Sequence, residues 1–241
     1  MSLFGLGDAD GGDVDPFGDL VEPAPIMKPH DTQTDFDGLL DAPIKLHEDL
    51  AKGCGGQIWP AGELLTKYIL RKYKNTDGLQ GKRILELGAG GGLTSLGVAA
   101  GCDLKGSELF ITDMEAMIEL LHINVALNGL QDRSEIKIEL LDWADPVPEV
   151  IAQKPIDIIF AADCVYYEPA FPLLEKTLID LVSENTVVYF CFKRRRRADL
   201  NFIKSIKKRV NMQEVTEIKD DPNYAQYARE NLFLYIMTKK I

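Results

Sequence analysis

A chain of 241 residues that is 46% hydrophobic and 27% charged has enough apolar material for one full core and the make-up of an ordinary globular domain. It has no apolar run of the roughly 18 residues a membrane span needs and no charged-then-apolar leader, so a soluble cytoplasmic protein with no membrane role is expected. The net charge of −11 argues against broad, charge-driven binding to nucleic acid, and no direct nucleic-acid role is expected.

Residues 1–34 are rich in Gly, Asp and Pro, with scattered Leu, Val and Phe. Such a segment buries too little apolar surface to offset its ordering entropy, so an acidic, mostly disordered extension is expected there and a folded domain over 35–241. Loose alternation of apolar and polar residues predicts a short strand or hairpin beginning between Thr32 and Ile44. Leu64, Leu65, Tyr68, Ile69 and Tyr73 recur at helical spacing, giving a helix over 62–73. Residues 83–87 (Arg-Ile-Leu-Glu-Leu) read as a strand entering a glycine turn, and 93–100 as the helix leaving it. A strand over 108–112 follows, closed by Asp113. An amphipathic helix over 114–127 comes next, stopped by Asn128-Gly129.

Strands are predicted over 136–141, 156–161 and 186–192, with helices over 171–182 and 199–210. Two closing strands, 213–218 and 232–238, have no convincing helix between them, so an antiparallel end to the sheet fits better than another crossover. Strand–helix alternation implies a mostly parallel sheet covered on both faces. The expected fold is α/β: a doubly wound, Rossmann-like sheet of seven strands with an antiparallel C-terminal strand, as in class I methyltransferases.

The strongest local signal is Leu87-Gly88-Ala89-Gly90-Gly91-Gly92-Leu93. A strand, a glycine-rich turn and a helix let backbone approach a ligand closely, with helix N–H groups facing it. The dinucleotide fingerprint needs a third glycine where Leu93 stands. The G-x-G-x-G pattern instead favours S-adenosylmethionine over a nicotinamide, leaving hydride transfer as the second reading. Asp113 ends the next strand, where a carboxylate can accept both ribose hydroxyls or cap the following helix. Glu86, inside the first strand, could support the cofactor's amino group or brace the loop.

Cys54, Cys102, Cys164 and Cys191 stand far apart with no C-x-x-C pair, and the three histidines are widely separated. Reduced thiols and no metal site are expected.

Residues 54–64 (Cys-Gly-Gly-Gln-Ile-Trp-Pro-Ala-Gly-Glu-Leu), the glycine turn, Asp142-Trp143 and residues 161–167 (Ala-Ala-Asp-Cys-Val-Tyr-Tyr) occur in one order that resembles a known family. It is the family of seven-strand protein-lysine methyltransferases that includes enzymes acting on the valosin-containing protein, heat-shock proteins and elongation factors. Residues 171–178 and the basic run near 193 resemble its fungal elongation factor 1-alpha branch. Over roughly residues 40–241 the resemblance implies Trp59 against the cofactor, Gly88, Ala89 and Gly90 forming the turn around it, and Asp113 on the ribose. It further implies Trp143 beside the adenine, Ala162 in the cofactor wall, and the D-x-x-Y signature at Asp163 and Tyr166. The implied partner is a folded protein, elongation factor 1-alpha, met by a monomeric enzyme. A methyltransferase acting on a chaperone or ATPase lysine is the alternative.

Asp163 ends the fourth strand on the sheet edge shared by Gly88 and Asp113, where open α/β sheets bind ligands. A substrate lysine must lose its proton before attack, which near pH 7.4 costs roughly 4 kcal/mol. A carboxylate alone stabilises the ammonium form, so Asp163 is assigned to capturing and aiming the lysine. Tyr166 is assigned to walling the channel or hydrogen-bonding the amine. An N-P-P-Y-type motif, more usual in small-molecule and nucleic-acid methyltransferases, is not what stands at 162–166. A purely binding module with a degenerate pocket fits poorly with intact Asp163 and Tyr166. Finally, Lys193-Arg194-Arg195-Arg196-Arg197 begins where the fifth strand ends. Its charge needs an acidic counterpart, expected on the substrate or on the chain's own acidic N-terminal segment; a targeting signal or plain solvation is the other reading.

Overall fold

The computed structural model describes residues 28–216, 221 and 224–240. A two-stranded antiparallel hairpin, β1 (His30–Thr34) and β2 (Ile44–Glu48), opens the described chain. It begins two residues ahead of the Thr32–Ile44 window expected for a strand or hairpin and overlaps the last residues of the stretch read as an extension. The remainder of that extension, 1–27, lies outside the described residues. Two short 3-10 turns, Leu50–Lys52 and Cys54–Gly56, lead into α1 (Pro60–Tyr73), with Pro60 in the first helical position, where a missing N–H costs nothing.

The main sheet is built from β3 (Arg83–Leu87), β4 (Glu108–Asp113), β5 (Ile136–Leu140), β6 (Ile158–Ala162), β7 (Val187–Lys193), β8 (Val210–Glu214) and β9 (Leu232–Lys239). Their spatial order is β5-β4-β3-β6-β7-β9-β8. The five strands β3 to β7 run parallel, while β9 pairs antiparallel with both β7 and β8. The intervening helices are α2 (Leu93–Gly101), α3 (Glu115–Leu127), α4 (Glu149–Ala152), α5 (Phe171–Leu181), α6 (Arg197–Ile206) and α7 (Tyr224–Arg229). A short helix, α7, therefore does separate the last two strands, although they remain an antiparallel pair. The strand expected over 213–218 sits earlier, at Val210–Glu214, and part of the expected range lies outside the described residues.

Alternation along the strands divides the core into two layers. Ile84, Leu109, Ile111, Ile158 and Phe160 face α1, α2, α3 and the hairpin. Leu85, Leu87, Phe110, Ile159 and Phe190 face α5 and α6. No helix among the described residues is long and apolar enough to cross a membrane.

The hairpin is tied to α3 by two asparagines one turn apart. Asn128 Oδ1 accepts the Lys45 N–H at 2.9 Å and its Nδ2 donates to Lys45 O at 2.7 Å. Asn124 Oδ1 accepts the His47 N–H at 2.6 Å. These amides give the edge of β2 the partners a neighbouring strand would otherwise supply.

Chain order runs outward from β3 through β4 to β5, then returns to β6 and continues to β7 on the other side. The reversal between β3 and β6 makes a crevice outside their carboxyl ends, the usual ligand position in open α/β sheets.

Candidate active site

A cavity of about 660 Å³ fills that crevice. It is lined by all nine residues singled out in the sequence: Trp59, Gly88, Ala89, Gly90, Asp113, Trp143, Ala162, Asp163 and Tyr166. They reach it from the start of α1, the β3–α2 turn, the ends of β4 and β6, and the loops beyond β5 and β6.

The turn after β3 requires glycine for two reasons. Gly88 and Gly90 have φ of 63° and 55°, where L side chains are strained. There is also no room: a Cβ on Gly90 would lie 2.7 Å from Gly55 O, and one on Gly88 would lie 3.0 Å from the Trp143 ring and 3.1 Å from Cys164 Sγ. Glycine at 90 thus admits the 54–56 segment over the turn, a closure the sequence reading did not anticipate.

Asp113 holds the turn. Its carboxylate accepts the Gly90 N–H at 2.7 Å and the Met114 N–H at 2.7 Å. Burial raises its carboxyl above the ordinary range, and those two amides pull the other way. Each oxygen keeps a lone pair for a further donor.

Glu86 points into the layer of α1 and α2, an otherwise apolar side of β3, and its Oε2 accepts the Ser95 N–H at 2.8 Å. That amide belongs to the first turn of α2, where N–H groups have no partner within the helix. Burial pushes the Glu86 carboxyl up to about 7, opposed by hydrogen bonds from Ser95 and Thr94. Because Glu86 also lines the cavity, bracing the turn does not exclude meeting a ligand.

Trp59 Nε1 donates to Cys54 O at 2.8 Å, fixing the ring at one wall. The Trp143 ring and the buried Cys164 thiol both pack against Gly88. Asp163, just past β6, has φ of 56°, an uncommon conformation for a residue with a side chain. Its side chain is only 5% exposed. Tyr166 is 46% exposed at the mouth, beside Tyr167 and Leu173. Burial raises the Tyr166 hydroxyl above its ordinary value.

The basic run differs from the sequence expectation. Three of its five cations have partners within the fold. Arg194 Nη2 donates to Asn231 Oδ1 at 2.6 Å, Arg195 pairs with Asp163 at 2.6 Å, and Arg196 pairs with Asp199 at 3.0 Å. Arg196 also donates to Tyr166 O. Acidic counterparts from the substrate or the N-terminal segment were expected; Asp163 and the fully buried Asp199 supply them locally. Arg195 lines the cavity, and sequence reasoning missed it because its partners Asp163 and Trp59 are distant in the chain.

The lining suits a nucleoside-type ligand carrying an amino acid: a carboxylate with free lone pairs at Asp113, aromatic and thioether surface at Trp143 and Met114, and buried Glu86 further in. Fold and cavity together define a class I methyltransferase that uses S-adenosylmethionine. The chain belongs to the family described as lysine methyltransferase, which matches residues 39–209. It is 39% identical to the protein-lysine N-methyltransferase EFM6 of Saccharomyces cerevisiae over 93% of this chain and 97% of that protein. It is 32% identical to the EEF1A lysine methyltransferase 3 of Mus musculus over 59% of this chain and 57% of that one. The fold is shared with a TehB-like SAM-dependent methyltransferase from Corynebacterium glutamicum, at a TM-score of 0.50 and 14% identity, covering 79% of this chain and 92% of that one. The chain is thus an S-adenosylmethionine-dependent protein-lysine methyltransferase, and its substrate is a protein.

Proposed function

We propose that this enzyme methylates a lysine of folded elongation factor 1-alpha in the cytoplasm, acting as a monomer through a domain whose N-terminal boundary is the β1–β2 hairpin. The name of the mouse relative supports the substrate, and four free cysteines fit a reducing compartment.

One observation carries the site reading: the nine residues line one cavity. Gly88, Ala89, Gly90, Asp113, Trp143 and Ala162 would hold the cofactor, with Trp59 closing over it. When bound, S-adenosylmethionine supplies an electrophilic methyl group on a positively charged sulfur. Asp163, buried in the wall, and Tyr166, exposed at the mouth, would meet the substrate. Asp163 accepts an N–H of the incoming lysine and fixes its direction, while Tyr166 walls the entry and excludes water. Most of the residues' contribution is alignment, since neither offers a nucleophile. The lysine proton leaves to water before the nitrogen becomes reactive.

Purified enzyme with labelled cofactor and elongation factor 1-alpha should label that protein, and Asp163→Asn should abolish transfer with cofactor affinity within a few-fold. Label appearing only on another protein of an extract would overturn the substrate. Equal loss of transfer and cofactor binding in Asp163→Asn would move Asp163 into the cofactor pocket.

A further inference from the structure

β7 ends at Lys193, beside the end of β6, because the register sets Ala162 opposite Cys191. The chain then turns, and buried Asp199 holds the turn by accepting the Arg195 and Arg196 N–H groups, each at 2.8 Å. This returns the Arg195 side chain to Asp163. Its Nη1 donates to Asp163 Oδ1 at 2.9 Å and its Nη2 to Oδ2 at 2.6 Å, the two-pronged fit of guanidinium on carboxylate. The Lys193 N–H adds a third donor, to Oδ1 at 3.1 Å. On its outer face the guanidinium lies 5.0 Å from the centre of the Trp59 ring, a cation–π distance.

A carboxylate has about four acceptor positions, two on each oxygen. Two donors occupy Oδ1 and one occupies Oδ2, so one position on Oδ2 remains. An uncompensated carboxylate at this depth would bind an ammonium and hold its proton on, opposing the neutral amine that transfer needs. Paired with Arg195, the carboxylate still accepts an N–H but carries little net charge.

We infer that Arg195 is a positioning residue for methyl transfer: it fixes Asp163 as a charge-compensated acceptor, so that the channel aims a lysine without stabilising its protonated form. This rests on the proposed reading of Asp163 as the group that meets the substrate lysine. Other ionisable groups face the same space. The Cys164 and Cys191 thiols and the Tyr166 hydroxyl are all raised by burial and stay neutral at moderate pH. Asp113 and Glu86 line the same cavity, and Asp199 holds the turn by accepting the Arg195 N–H. Arg195 is the cation in direct contact with Asp163.

The test is the pH dependence of label transfer from S-adenosylmethionine to a protein extract of source cells lacking this enzyme, which does not depend on the substrate's identity. For Arg195→Met the acid limb of the saturated rate should move up by about one pH unit, since a nearby opposite charge shifts a titration by one to three. The rate near pH 7.5 then falls about tenfold and converges on wild type at high pH, with no rise in KM. Arg195→Lys should bring the limb back, and both variants should bind S-adenosylhomocysteine within about threefold of wild type. Profiles of Arg195→Met and wild type that stay parallel at every pH would overturn the inference. So would unfolding of both Arg195→Met and Arg195→Gln while Arg195→Lys folds, which marks a purely structural clamp. Full transfer by Asp163→Asn would instead remove the reading of Asp163 beneath it.

Discussion

The carboxylate of Asp113 and the backbone of Gly90 are joined by a hydrogen bond of 2.7 Å, so the acid that ends β4 also fixes the shape of the turn after β3. Loss of that acid should therefore act on turn geometry and, if Asp113 meets the ribose, on that contact as well. Asp113→Ala is expected to weaken S-adenosylhomocysteine binding by at least tenfold in calorimetry, given about 1.5–3 kcal/mol for a hydrogen bond to a charged group. Asp113→Asn should recover little. Its amide would turn a donor toward either the Gly90 or the Met114 N–H, both donors themselves. Near-wild-type affinity in the asparagine variant would show that the charge and second acceptor are dispensable.

Glu86 sets a pH dependence whose sign follows from its raised carboxyl. The ordinary value is 4.5 and the folded value about 7. Between these the folded state holds a proton that the unfolded state has released, so this group's contribution to stability falls as pH rises. It is fully present below about 4.5 and fully lost above about 7, a change on the order of 3 kcal/mol. Glu86→Gln keeps an oxygen for the Ser95 N–H and removes the titration. Its melting temperature should exceed that of wild type at pH 8 by more than at pH 5. If Glu86 also meets the cofactor's amino group, wild-type affinity for S-adenosylhomocysteine rises through pH 7 while the variant's stays flat. An equal melting difference at both pH values would show that Glu86 does not titrate in this range.

Much of this site was legible in the sequence because its parts announce themselves locally. A strand, a glycine turn and a helix declare β3 and α2 within a few residues, and Asp113 and Asp163 are legible as strand-end acids once the strands are placed. Glu86 was visible as a residue but not as a buried acid, because its depth depends on α1 and α2 covering that side of β3. Arg195 was hidden in a run of five similar cations, and the β6–β7 register together with the turn held by Asp199 decides which of them returns to Asp163. A hairpin was expected to begin between Thr32 and Ile44, and β1 starts two residues earlier, at His30, in a segment that is polar throughout. Its pairing comes from β2, whose other edge meets side chains of α3, and no local pattern in β1 reports that.

Asn124 couples the hairpin to the glycine turn after β3. Its Nδ2 donates to Gly91 O at 2.9 Å while its Oδ1 accepts the His47 N–H. Its Nδ2 also donates to His47 O at 3.3 Å, and the side chain is fully buried, so removing it takes a partner from three backbone groups. Asn124→Ala is expected to lower stability by about 1–3 kcal/mol for each group left unpaired and to loosen the turn. Asn124→Asp can accept the His47 N–H but can donate to neither Gly91 O nor His47 O. It should weaken cofactor binding more than its melting temperature alone would indicate. Calorimetry and thermal denaturation of the two variants separate these effects, and unaltered cofactor affinity in both would show that Gly91 does not need the asparagine.

The basic run makes the last prediction, which replaces uniform charge steering with a graded series. Arg197 is exposed at the start of α6 and has no ion pair among the described residues, so Arg197→Ser should leave stability, cofactor affinity and transfer close to wild type. Arg196 joins Asp199 to the Tyr166 carbonyl. Arg196→Ser frees the loop that carries Tyr166, so the KM for protein substrate should rise several-fold with cofactor affinity unchanged. Asp199 accepts three groups, the N–H of Arg195, the N–H of Arg196 and the Arg196 guanidinium, at full burial. Asp199→Ala removes all three at once and leaves Arg195 without the turn that aims it. It should cost more stability than either arginine change, several kcal/mol if each bond to the charged group contributes about 1.5–3. The effect of ionic strength decides between this arrangement and diffuse steering. Exposed charges are screened within about 10 Å at 0.1 M salt, whereas the buried Asp199 contacts are not. Salt should therefore leave the wild-type KM nearly unchanged. A steep salt dependence that Arg197→Ser abolishes would restore the run to the role of an electrostatic docking patch.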